Sequence, residues 1–138
     1  MPPTHAELAH RWHRVVALVE SLPEATATGE DHLSLEVRGK RFAWLLDDHH
    51  GDARLALHCK ATPGANQALA KTAPDRFHLP PYLARHGWVG VWLDLPEVDW
   101  EEVEGLVTEA YRMTAPKSVW LPRSTCGPRR DPGRIRGS

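Results

Sequence analysis

Histidines and carboxylates are the first residues in this chain to test for chemistry. Asp47, Asp48, His49, His50 and Asp52 stand almost side by side. Imidazoles and carboxylates together can bind zinc, iron or manganese. Adjacent strand residues point to opposite sides, however, and Asp and Gly are favoured at a hairpin tip for turn geometry alone. The cluster therefore reads as a solvated turn. His58, His78 and His86 have no HxxH or HExxH spacing, so a closed histidine site could be assembled from them only through space.

Cys59 is followed by Lys60, and a neighbouring cation can activate a thiol. The alternation that draws attention to Cys59 also puts it on the face of Leu55 and Leu57, which predicts a buried, inert thiol. No histidine and carboxylate partners stand out to complete a triad. Cys126 is expected in an exposed tail, where oxidation is easier. The two cysteines form no CxxC, so neither a disulfide framework nor a zinc knuckle is indicated. Lys60-Ala61-Thr62-Pro63-Gly64 opens a helix whose free amides could hold a phosphate, yet it has neither Walker nor dinucleotide-fingerprint spacing. Asp99, Glu101, Glu102 and Glu104 crowd a helix start, where the helix dipole accounts for them. No catalytic residue, cofactor or metal ligand is assigned on these grounds.

Two patterns suit binding. Trp88, Gly90 and Trp92 alternate with Val89, Val91 and Leu93, which places two indoles on one side of a strand. Arg54, His58 and Lys60 would share that side if the strands are neighbours. Aromatics interleaved with cations suit base stacking or a protein partner, including a second copy of the chain. The alternative is that the indoles are covered as structure. Arg38, Lys40 and Arg41 bracket Gly39 at a hairpin tip, and such a tip can reach a phosphate backbone as a wing. With Lys60, these three residues form the candidate nucleic-acid contact, double-stranded DNA being the expected partner.

The elements that must position these residues follow from periodicity. Thr4 and Glu7 have capping-box spacing, and Leu8, Trp12, Val15, Val16, Val19 and Leu22 recur at helical period until Pro23. The Thr-Ala-Thr-Gly run ending at Gly29 reads as a loop. Strands are expected over 33–37, 40–46 and 54–60, a helix over 65–73, a strand over 88–93 and a helix after Asp99 that ends at Pro116. Ser118 to Leu121 is expected as one more short strand. Consecutive strands with short turns make an antiparallel meander, and the whole predicts an α+β two-layer sandwich with helices on one sheet face.

The 138 residues fit one domain, expected over 1–121, with an arginine-rich flexible tail over 122–138. Five arginines from Arg123 onward stand against Asp131, a balance of +4, which leaves -5 for residues 1–122 within a total of -1. An acidic body argues against a general polyanion binder. With no uninterrupted apolar run for a signal peptide or a membrane span, the expected location is cytoplasmic.

The motifs Arg38-Gly39-Lys40, Phe42-Ala43-Trp44-Leu45, Leu55-Ala56-Leu57, Cys59-Lys60, Pro80-Pro81-Tyr82, Gly87-Trp88-Val89-Gly90-Val91 and Tyr111-Arg112 follow one another along the chain. In that order they resemble the MmcQ/YjbR family, formerly a domain of unknown function, from Thr4 to Leu121. The resemblance implies an α-β-β-β-α-β-β-α order, similar to secretion chaperones and loosely to frataxin. It implies DNA binding by analogy with winged proteins, with a chaperone-like protein-interaction module as the alternative and a frataxin-like metal function third. It brings no catalytic residue.

Overall fold

The computed structural model describes residues 3–47 and 54–121. Asp48, His49, His50 and Asp52 of the acidic and histidine-rich cluster lie outside the described residues, as do Cys126 and the arginines from Arg123 onward.

The chain enters its first helix, α1 (His5–Glu20), through the expected capping box. The Glu7 amide donates to Thr4 Oγ1 at 3.1 Å, and the Thr4 amide donates to the Glu7 carboxylate at 2.8 Å. Six strands follow, interleaved with helices: β1 (Ala25–Gly29), β2 (His32–Val37), β3 (Lys40–Asp47), β4 (Leu55–Lys60), α2 (Ala65–Thr72), β5 (Phe77–His78), a 3-10 turn (Ala84–His86), β6 (Trp88–Trp92), α3 (Trp100–Thr114) and α4 (Lys117–Trp120). The strands form one antiparallel sheet in the order β1-β2-β3-β4-β6-β5. The fold is therefore α+β, with the meander β2-β3-β4 at its centre.

Three elements differ from the sequence expectation. The Thr-Ala-Thr-Gly run is strand β1, paired along its whole length with β2. Its small side chains and half-exposed position at the sheet edge left no apolar alternation to detect. Ser118 to Leu121 is not a strand: Pro116 starts the short helix α4, and the Val119 amide donates to the Pro116 carbonyl. The second strand of the late pair is Phe77–His78, whose two residues are too few to show a period.

One sheet face carries the core. Leu33 and Leu35 of β2, Ala43 and Leu45 of β3, Leu55, Leu57 and Cys59 of β4 and Val89 and Val91 of β6 join Val15, Val19, Val103, Val107 and Ala110 of α1 and α3 in a single buried cluster. A β-bulge between Leu35 and Glu36 of β2 leaves Phe42 of β3 without a partner. The bulge turns Phe42 inward beside Ala43, where its ring meets Tyr111 of α3 edge to face at 5.8 Å. Across the domain, Arg11 of α1 donates to the carbonyls of Leu93, Leu95 and Pro96, tying the first helix to the segment that leads into α3. No helix among the described residues is long and apolar enough to cross a membrane.

Candidate functional site

On the opposite sheet face a cavity of about 410 Å³ opens, lined among the described residues by strand, loop and turn side chains. Strand register decides what lines it. His32 pairs with Leu46, Leu46 with Ala56 and Ala56 with Trp92, so these four residues form one row across the sheet. Trp44 pairs with His58, His58 with Gly90 and Gly90 with His78, giving a second row beside the first. Pro80, Pro81, Tyr82 and Leu83 rise from the end of β5 as one wall. That wall is braced from behind: the Ala84 amide donates to Pro80 O, and the buried Asn66 side chain of α2 donates to Ala84 O and Trp88 O.

Trp92 is gripped from both directions along its strand. His78, which pairs with Gly90, stacks on the indole with centroids 4.0 Å apart and planes inclined by 24°. From the Asp94 side, the Arg54 guanidinium lies 3.8 Å from the ring centroid. Arg54 is itself held in a two-pronged ion pair, Nε to Asp94 Oδ2 at 2.6 Å and Nη2 to Oδ1 at 2.9 Å. The same carboxylate accepts from the Leu55 amide at 3.2 Å.

His58 and His78 meet at the cavity floor with their Nε2 atoms 3.0 Å apart. Glycine at position 90 makes this possible, because a Cβ there would overlap the His78 ring. Tyr82 stands at the mouth, 83% exposed, with a left-handed φ of 68° that a bulky side chain rarely adopts.

The YjbR family model matches residues 20–113, a span that runs from the end of α1 through both rows of the cavity into α3. The chain belongs to the YjbR family. A similar solved structure is that of Deinococcus radiodurans protein DR2400, which carries a DUF419 domain; it shares 22% identity over 74% of this chain and 76% of that chain, with a TM-score of 0.62. At that identity the likeness establishes the fold. No curated protein matches the sequence significantly.

Within this YjbR domain the residues singled out from sequence fall into two groups. Arg54, His58 and Trp92 come together at the cavity. Trp88 shares their sheet face but is only 7% exposed and does not line the cavity, so the expected pair of open indoles is reduced to one, already sandwiched. Arg38, Lys40, Arg41 and Lys60 lie toward the other end of the sheet, where β3 begins and β4 ends. Arg38 is committed to Glu24 at 2.6 Å, which holds the Glu24 carboxyl below its usual range and raises the guanidinium. Arg41 lies over Trp44 at 3.8 Å and donates to Ser34 Oγ, while Lys40 is exposed. Cys59 is on the core face, fully buried, its thiol pushed up to about 12 by loss of hydration. Asp47 is exposed at the end of β3.

Sequence reasoning missed Trp44, Leu46, Ala56, His32, His78 and Tyr82 as site residues. Period-two alternation along β3 and β4 signals Trp44, Leu46 and Ala56. His78 lies on a two-residue strand, where no period exists to assign it a face.

Proposed function

We propose that this protein is a binding module whose working site is the open-face cavity, and that its ligand is a small, largely apolar molecule. The observation that carries this reading is the cavity's size and lining. About 410 Å³ falls within the ~300–1,000 Å³ typical of ligand pockets, and the lining combines Trp44, Leu46, Ala56, Pro80 and Leu83 with the polar side chains of His32, Arg54, His58 and His78. Trp92 is braced by His78 and Arg54 on its two faces, so a guest would meet the indole edge and the aliphatic floor rather than stack on it.

The test is titration of the full chain with the neutral fluorescent probe N-phenyl-1-naphthylamine. Saturable binding at one site, lost in Ala56→Phe and weakened in Ala56→Leu, supports the reading. Absence of saturable binding, or binding unaffected by either substitution in cooperatively folded variants, refutes it.

A second reading, contact with duplex DNA, is favoured by the grouping of Lys40, Arg41, Lys60 and the half-exposed Arg38 at one end of the sheet. The Glu24 pairing and the packing of Arg41 on Trp44 weaken it, since both cations are already engaged. It requires salt-dependent duplex binding that falls in Arg38→Ala/Arg41→Ala and persists in a chain ending at Leu121. Light scattering separates either reading from self-association through the same face.

A further inference from the structure

We propose that the groove between α1 and the Asp47 end of the sheet is the docking site of this chain's own segment 122–138, with Ile135 on its apolar floor and Arg134 and Arg136 on its acidic rim. The groove lies on the helix side of the sheet, away from the cavity assigned to an apolar guest, and encloses about 290 Å³. Its floor is Leu8 and Trp12 of α1 with Leu55 of β4. Its rim is Glu30 and Asp31 of the β1–β2 turn and Asp47 at the end of β3. Leu55 is buried and Leu8 and Trp12 are half-buried, whereas all three carboxylates are exposed.

Charge is spread unevenly along the strands. Arg38, Lys40 and Lys60 lie at one end of the sheet, and Glu30, Asp31 and Asp47 at the other. Residues 1–122 sum to -5 and the residues from Arg123 onward to +4, so the two parts attract. An acidic rim alone would accept any cation; the apolar floor is what selects. Arg134-Ile135-Arg136 places the one branched aliphatic residue after Leu121 between two arginines. In an extended chain Ile135 points down while its neighbours point away, and their long stems fold back to bring the guanidinium groups onto the rim. Arginine is also the cation that Glu24, Asp94 and Glu102 hold elsewhere in the domain.

The segment reaches the groove within one molecule. Tyr111 of α3 donates to the Pro23 carbonyl, and Arg112 lies over Trp120 of α4, so the chain leaves α4 near the start of β1. Ala25 of β1 pairs with Val37, which puts that departure at the Lys40 end of the sheet, opposite the groove. The eight residues of β3 that separate the two ends span ~27 Å. Ile135 lies 14 residues beyond Leu121 and extends to ~46 Å at ~3.3 Å per residue. Tethering then holds the segment at an effective concentration of about millimolar, far above what a second copy supplies in dilute solution.

The experiment uses the full chain carrying a nitroxide on the thiol that Ser138→Cys introduces in a Cys126→Ser background; Cys59 is fully buried and stays unlabelled. Spectra of ¹⁵N chain are recorded at low salt and about pH 8, above the ordinary imidazole range, because His5 and His13 also line the groove. The Trp12 indole N–H and the Glu30 and Asp31 amides should lose intensity, and the Lys40 and Lys60 amides at the far end of the sheet should keep it. Ile135→Asp should lower the docking constant about tenfold. Arg134→Glu/Arg136→Glu should abolish docking, and adding Glu30→Lys/Asp31→Lys to that variant should restore it. The effect should fade in about 1 M salt, where the screening length falls to ~3 Å. Intensity loss that is uniform over both ends, that survives Ile135→Asp and the arginine reversal, or that is not restored by the double reversal overturns the proposal. Loss at Trp12 seen only when spin-labelled copies without ¹⁵N are mixed with ¹⁵N copies assigns the segment to a second molecule and also overturns it.

Discussion

Gly90 and His78 face each other across the last pair of strands, and the imidazole of His78 fills the space a Gly90 side chain would occupy. The His58 contact and the Trp92 stack both follow from that one vacancy in side-chain volume.

Gly90→Ala should therefore cost about 1–3 kcal/mol, the range for overpacking a filled site. Urea unfolding measures it, with far-ultraviolet dichroism confirming that the fold is kept. A neutral effect would mean that His78 sits elsewhere in solution.

Tyr82→Gly should stabilise the protein by about 1 kcal/mol, because it relieves a left-handed backbone at a bulky residue. The same change removes an exposed ring from the cavity mouth and should weaken N-phenyl-1-naphthylamine binding. Opposite signs in denaturant midpoint and probe affinity are the expected result. Strain held at a binding rim has that signature.

Much of this was legible in the sequence. The capping box at Thr4 and Glu7, the alternation of Leu55, Leu57 and Cys59, and the helix that Asp99 caps all stand as expected. These elements pack one strongly apolar side, and periodicity records that side directly. The cavity was legible only in part. Arg54, His58 and Trp92 could be placed on one face by alternation, but His78 depends on a two-residue strand, and the Pro80–Leu83 wall depends on tertiary bonds from Asn66. Residues joined only through space leave no spacing to read. β1 escaped notice because an edge strand of Ala, Thr and Gly is held by its partner's backbone more than by its own side chains.

Asp94→Ala should destabilise the fold by about 2 kcal/mol, since it strips Arg54 of its ion pair and leaves the Leu55 amide without that acceptor. Asp94→Asn keeps an acceptor and should cost less. Denaturant midpoints of the two variants give the comparison.

Tyr111→Phe should cost about 1 kcal/mol through loss of the hydroxyl bond to the Pro23 carbonyl, which ties α3 to the end of α1. Burial, and secondarily the charge of Glu24, raises the Tyr111 hydroxyl above the ordinary tyrosine value. Because the folded state disfavours the phenolate, the contribution is complete below the unfolded tyrosine pKa of about 10 and is lost as pH rises through the raised folded value. The alkaline limb of the stability profile should be shallower in Tyr111→Phe, as followed by thermal unfolding across pH.

The central claim, that the open sheet face holds the ligand site, is tested most directly by indole N–H resonances during titration of the full chain with N-phenyl-1-naphthylamine. Trp44 and Trp92 line the cavity, whereas Trp12, Trp100 and Trp120 pack against the core cluster on the helix side. The account predicts saturable shifts at Trp44 and Trp92 with Trp12, Trp100 and Trp120 unmoved. Shifts confined to Trp12, Trp100 or Trp120, or none at any indole, would contradict it.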